Sequence, residues 1–228
     1  MMCPRVLHHV PNWSVICLRP AAQQAAVRRA VQARGARHVA LPGLRLAALP
    51  ASGALRSALA CPAVVFTSPA AVAFAARLLP LKLRRNALAL AVGAGTARAL
   101  ARHGIRAISP AHEAMHSEGL LALPQWDDIT GPVGLVTAPG GRGTIPAGLA
   151  QRGLETRRAE VYQRLPPRLD ARHQRALMQA CAPRAVLVSS AEALDGALDA
   201  LPPACRAHVL DSLAVACSRR LSELAQAR

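Results

Sequence analysis

Ala63-Val64-Val65-Phe66-Thr67-Ser68 returns in the second half of the chain as Ala185-Val186-Leu187-Val188-Ser189-Ser190. Each copy is an apolar run too brief for a helix, ends in two hydroxyl residues and leads into a helical pattern. The helix keeps its inner face too. Val72, Ala75, Ala76 and Leu79 become Leu194, Ala197, Leu198 and Leu201, with the same helical spacing in both copies. Two more stretches recur after about 120 residues. Val15-Ile16-Cys17-Leu18-Arg19-Pro20, with a run ending in Gly35, corresponds to Gly134-Leu135-Val136-Thr137-Ala138-Pro139 and a run ending in Gly153. Leu90-Ala91-Val92-Gly93 corresponds to Leu213-Ala214-Val215-Ala216. Strands alternating with helices predict an α/β protein with parallel sheets covered on both faces. The repeat divides its 228 residues into two halves, each large enough for its own core.

Apolar residues make up 52% of the chain but aromatics only 2%, so the cores must be built from Ala, Leu and Val held close together. The formal net charge is +16, and Lys82 is the only lysine among the basic residues. Such a surplus attracts polyanions over long range, whether nucleic acid, anionic lipid or a polycarboxylate. Genomic base bias accounts equally well for the choice of Arg, but not for the scarcity of acids. Single-strand nucleic-acid binding is disfavoured, because the positive surface lacks interleaved aromatic stacking platforms. Cys3, Cys17, Cys61, Cys181, Cys205 and Cys217 contain no C-x-x-C pair and read as reduced, buried thiols of a cytoplasmic protein. No segment has the roughly 20 apolar residues of a membrane span. The first dozen residues read as a ragged start.

Pro20 stands where a helix can begin, and Gly35 supplies the left-handed residue that ends one. Leu41-Pro42-Gly43-Leu44-Arg45-Leu46 reads as an extended connection rather than a central strand. Its counterpart is Ala159-Glu160-Val161-Tyr162-Gln163-Arg164-Leu165-Pro166-Pro167, so the two look like paired strands joining two lobes. A further strand is expected at Ile105 to Ile108, and a helix from Ser117, as N-cap, to Leu123. Neither has a partner in the second half. One lobe should therefore be short by a strand and a helix.

Thr67-Ser68 and Ser189-Ser190 sit at strand-to-helix turns, where a hydroxyl can cap the helix or help bind an anion at its N-terminus. Gly93-Ala94-Gly95-Thr96-Ala97-Arg98 is no dinucleotide fingerprint, since Arg98 replaces the third glycine; a turn bringing a carboxylate to backbone N–H groups fits better. Pro139-Gly140-Gly141-Arg142-Gly143-Thr144 lacks the lysine of a P-loop. His112-Glu113-Ala114-Met115-His116 matches the zinc motif H-E-x-x-H, yet Pro110 and Gly119 place it in a loop and no third ligand follows at a suitable spacing. Tyr162, the only tyrosine, lies on the second connector. It reads either as a packing aromatic or as an uncharged proton donor to a leaving oxygen.

Val65-Phe66-Thr67-Ser68-Pro69-x-x-Val72, Ala91-Val92-Gly93-x-x-Thr96-Ala97, Ser117-Glu118-Gly119-Leu120-Leu121 and Val161-Tyr162-x-Arg164, in this order, resemble the uroporphyrinogen-III synthase family. The opening strand ending Leu18-Arg19-Pro20 resembles it as well. The resemblance implies two similar flavodoxin-like parallel-sheet lobes joined by a two-stranded connector, with the C-terminal lobe lacking its last strand and helix. Residues 13–39 with 168–228 would form one lobe, 51–158 the other, and 40–50 and 159–167 the connector strands. It implies a cytoplasmic, monomeric lyase without cofactor or metal, acting on a small molecule rather than on nucleic acid or membrane. The reaction implied is cyclisation of the linear tetrapyrrole hydroxymethylbilane, with loss of water and inversion of its last ring.

In that setting Tyr162 would assist departure of the hydroxyl. Arg19, Thr67, Ser68, Gly95, Thr96, Ser189, Ser190 and Ser218 would surround the eight carboxylates. The Gly-x-x-Thr turn becomes Cys217-Ser218-Arg219-Arg220 in the second half, where Ser218 would have to replace a threonine hydroxyl. The competing readings are a two-lobed anion-binding protein without catalysis and a zinc peptidase using His112, Glu113 and His116.

Overall fold

The computed structural model describes residues 13–111, 114–141 and 143–228. The chain opens with β1 (Ser14–Cys17), α1 (Ala25–Gln32), β2 (Arg37–Ala40) and β3 (Arg45–Ala48). Next come α2 (Ser52–Leu59), β4 (Ala63–Phe66), α3 (Pro69–Leu78), β5 (Leu88–Ala91), α4 (Ala94–Ala101) and α5 (Ser117–Leu121). They are followed by β6 (Val133–Thr137), α6 (Thr144–Gln151), β7 (Thr156–Glu160) and β8 (Tyr162–Leu165). The last elements are α7 (Ala171–Met178), β9 (Arg184–Val188), α8 (Ala191–Asp199), α9 (Pro203–Leu210), β10 (Leu213–Ala216) and α10 (Arg219–Gln226).

Two compact units result. One takes in the chain up to Leu46 and again Leu165–Arg228; the other is Ala47–Arg164. The discontinuous unit holds a parallel sheet in the order β10-β9-β1-β2. Its strands, counted along the chain, lie in the flavodoxin order without a fifth member. The continuous unit holds the parallel sheet β5-β4-β6-β7, the same arrangement entered at a different point. β3 and β8 pair as a separate two-stranded sheet, as the two extended stretches predicted.

The repeat is real, but two of its three stretches are shifted. Ala63 lies beside Val133 and Leu88, while its counterpart Ala185 lies beside Val15 and Leu213. Val15 therefore matches Val133, not Gly134, and Leu213 matches Leu88, not Leu90. A one-residue slip sends every side chain of a strand to the opposite face. Helix stops agree with the corrected register: Gly35 and Gly153 have φ of 67° and 72°. The next residues, Ala36 and Leu154, donate back to Val31 and Leu149.

Each unit packs its own core. In the discontinuous one Ile16, Leu18, Val39, Val186 and Val188 meet Leu177, Leu194 and Val209 from the helices. Helix α8 lies so close to the chain that a Cβ on Gly43 would run into the backbone of Ala193, and one on Gly196 into the Gly43 carbonyl. In the continuous unit Val65, Leu90, Val133 and Leu135 pack with Leu120, Trp126, Ile145 and Leu149. The indole of Trp126 donates to the Leu120 carbonyl over 2.7 Å. Small and aliphatic residues thus do the packing, as the shortage of aromatics required.

Three expectations change in detail. The strand expected at Ile105 to Ile108 is a single bridge, Ile108 beside Leu90. The helix after it is capped by His116, whose Nδ1 accepts from Gly119 N at 3.1 Å, and it ends at Leu121. At β10, Leu213 and Val215 are 71% and 45% exposed, whereas Leu90, the counterpart of Val215, is fully buried. Among the described residues no strand lies outside β10. Of the free thiols, Cys17, Cys61 and Cys205 are buried, but Cys217 is exposed. Burial pushes the Cys17 and Cys61 thiols above their ordinary range.

Burial also lowers the pKa of His38 and His208, assisted by Arg28 and Arg184 respectively. The Nε2 atoms of both are buried without a partner. Because the folded pKa lies below the unfolded one, the unfolded chain takes up protons first as pH drops. The Tm is expected to fall as pH is lowered through about 6.5 and to level off below the folded pKa values. Thermal melts of His38→Gln with His208→Gln should show a flatter profile; an unchanged profile would contradict this assignment.

Candidate active site

A cavity of about 190 Å³ opens in the continuous unit. Residues at and just beyond the carboxyl ends of β4 and β6 line it, joined by Arg158, Tyr162 and Arg164 from β7 and β8. Ligands of open parallel sheets bind in this position.

Ser68 sits at the hinge of the site. Its extended backbone makes it the N-cap of α3, with Pro69 next, and its Oγ accepts from Ala71 N at 3.0 Å. The same Oγ lies 3.1 Å from the hydroxyl of Tyr162. The phenol is 3% exposed, and its ring stacks on Phe74 with centroids 5.2 Å apart and planes 14° from parallel. Replacing Ser68 with alanine removes the cap and is expected to cost about 1 kcal/mol of stability. Denaturant melts read this directly, and an unchanged midpoint would mean the cap contributes nothing.

Hydroxyls and backbone donors surround this pair. Thr67 Oγ1 donates to the Thr137 hydroxyl at 3.1 Å. Gly140, Gly141 and Gly143 have φ of 77°, 93° and 68°, a conformation only glycine adopts without strain, in the turn that opens α6. Arg142 of that turn lies outside the described residues. Arg158 Nη2 contacts Glu160 Oε1 at 2.7 Å and donates to the Ala138 carbonyl at 3.4 Å. The guanidinium of Arg164 stands 6.0 Å from the centre of the Tyr162 ring. Hydroxyls, two helix N-termini and two guanidiniums suit carboxylate oxygens, while the phenol offers a proton.

Of the residues singled out in the sequence, the cavity brings Thr67, Ser68 and Tyr162 together. Gly95 and Thr96 do not line it. Thr96 is buried, and at the start of α4 the Ala94 N–H donates to the sulfur of Met115 at 3.1 Å. Arg19, Ser189, Ser190 and Ser218 belong to the other unit. There Ser190 and Ser218 cap α8 and α10 by accepting from Ala193 N and Leu221 N. Ser218 takes the place of Gly93, the cap of α4, so Leu221 rather than a hydroxyl answers Thr96. Of the zinc motif, His112 and Glu113 lie outside the described residues. His116 Nδ1 is engaged as a helix cap, and no group of metal-ligating side chains occurs among the described residues. No helix there is long and apolar enough to cross a membrane.

Sequence reading missed Thr137, Arg158, Arg164 and the glycines of the α6 turn as site residues. Thr137 carried a usable signal, since in the correct register it is the counterpart of Arg19. The glycine-rich turn was legible only as a failed P-loop.

Against known proteins, the family described as uroporphyrinogen-III synthase HemD matches residues 25–227. No curated protein matches. A mutant uroporphyrinogen III synthase from the extremely thermophilic bacterium Thermus thermophilus aligns over 94% of this chain and 88% of its own, with 21% identity and a TM-score of 0.59. Uroporphyrinogen-III synthetase from Helicobacter pylori 26695 aligns over the same shares, 94% and 88%, with 15% identity and a TM-score of 0.61. At these identities the two structures speak for the fold.

Proposed function

The chain belongs to the uroporphyrinogen-III synthase family of tetrapyrrole biosynthesis, and we propose that it cyclises hydroxymethylbilane to uroporphyrinogen III as a lyase that needs no cofactor. The observation carrying this reading is the Ser68–Tyr162 hydroxyl pair at 3.1 Å, set in a hydroxyl-rich cavity at a helix N-terminus.

The phenol of Tyr162 donates its proton to the departing hydroxyl oxygen. The carbon–oxygen bond breaks, water leaves, and the pyrrole nitrogen's electron pair makes the cation. The substituted carbon of the last ring attacks that cation, and the spiro intermediate opens and recloses with the ring inverted. Closure releases a proton from a ring carbon, which restores the phenol. The barrier is lowered chiefly by holding a flexible chain in the one geometry that permits spiro attack.

The cavity is smaller than the roughly 300 Å³ at which drug-sized sites begin, so it takes the reacting end and adjacent carboxylates only. Thr67, Thr137, Arg158 and Arg164 meet those groups; Gly95, Thr96, Arg19, Ser189, Ser190 and Ser218 are proposed as further substrate contacts. Lobe limits of 13–39 with 168–228 and of 51–158 belong to the same proposal, as do a monomeric state, a cytoplasmic setting and the absence of nucleic-acid or membrane partners. Titration with an octacarboxylate porphyrin and a tetracarboxylate one tests the recognition. The octacarboxylate should bind at least tenfold more tightly, the difference shrinking as salt rises; equal affinities would contradict it. Turnover should also survive exhaustive chelation, and its loss would remove the cofactor-free mechanism.

A further inference from the structure

The chain holds two Phe, two Trp and one Tyr, and two of these five aromatic residues are stacked on each other beneath the site. Phe74 lies against the ring of Tyr162. On its side, the guanidinium of Arg77 stands 5.3 Å from the Phe74 centroid, while Arg164 stands 6.0 Å from the Tyr162 centroid. Arg77, Phe74, Tyr162 and Arg164 thus contact one another in series. Phe74 and Arg77 are three residues apart on α3, which places them on one helix face. Tyr162 and Arg164 are two apart on β8 and share a strand face.

We infer that Phe74 and Arg77 are positioning residues for the proton transfer from Tyr162. The inference rests on the proposed role of that phenol. Helix α3 holds the tyrosine at two points: the Ser68 cap meets the hydroxyl, and Phe74 meets the ring face. Together they fix both the place of the oxygen and the tilt of the ring. The guanidiniums of the series add a second effect. As the proton leaves, negative charge gathers on the phenol oxygen and spreads into the ring. Positive charge on these two exposed guanidiniums stabilises that state more than the neutral phenol, by a modest margin that screening by water sets. An interaction strengthened only in the transition state raises kcat and leaves KM alone.

Phe74→Leu should therefore lower kcat about tenfold with KM within about twofold. Phe74→Tyr keeps a ring in place and should restore most of the rate. Arg77→Gln should lower kcat about threefold, and Arg77→Lys should recover it. Combining Phe74→Leu with Tyr162→Phe separates positioning from packing, because the double variant should be hardly slower than Tyr162→Phe alone. A full-rate Phe74→Leu variant, an equally slow Phe74→Tyr variant, or simple additivity in the double variant would overturn the inference. A full-rate Tyr162→Phe variant would instead overturn the reading beneath it.

Discussion

Tyr162→Phe is expected to lower kcat about a hundredfold and to leave the Tm and KM nearly unchanged. The ring is 3% exposed and stacked on Phe74, and phenylalanine keeps both features. Only the hydroxyl disappears, and with it the contact to Ser68. Ser68 keeps its cap bond from Ala71 N, so the local fold does not depend on the lost atom. Steady-state rates with freshly made hydroxymethylbilane give the answer. A rate within about twofold of the parent would remove the phenol from the chemistry, leaving substrate folding as the whole of catalysis.

The second large effect concerns the scaffold. Gly134 lies in the central strand β6, and a Cβ there would collide with the Ala58 carbonyl of α2. In the corrected repeat its counterpart is Ile16, fully buried in the other core. The same sheet position thus carries a branched side chain in one unit and none in the other, because α2 lies directly on the strand. Gly134→Val inserts three carbons against rigid backbone and should cost about 3 kcal/mol. For a chain of this size the Tm should fall by on the order of 10 °C. Calorimetry with the Ile16→Val variant as control, expected to lose about 1 kcal/mol, separates overpacking from a general sensitivity of central strands. A Gly134→Val protein melting like the parent would mean that α2 can back away.

Much of this architecture was legible because strands ending in hydroxyls and capped helices repeat as whole units. The order of the elements and the extended connectors were both readable. Register was not, since Leu-Ala-Leu-Ala and Leu-Ala-Val-Ala match equally well when slid by two residues. The separate one-residue slip of Val15 against Gly134 had a functional cost: it set Arg19 opposite Ala138 and hid Thr137, whose hydroxyl meets Thr67. The cap at His116 was assigned to Ser117 because serine is the better intrinsic cap, while tertiary placement favoured the imidazole. Phe74 escaped notice for another reason. It lies off the stripe of Val72 and Ala75 that faces the sheet, and its partner Tyr162 is distant in sequence.

The central claim is that the hydroxyl-lined cavity steers hydroxymethylbilane through ring inversion. The isomer ratio of the cyclic product, resolved chromatographically after incubation with the purified protein, tests it most directly. The account predicts that the type III isomer dominates and that its share grows with protein concentration. Type I product alone, at every protein concentration, would contradict it.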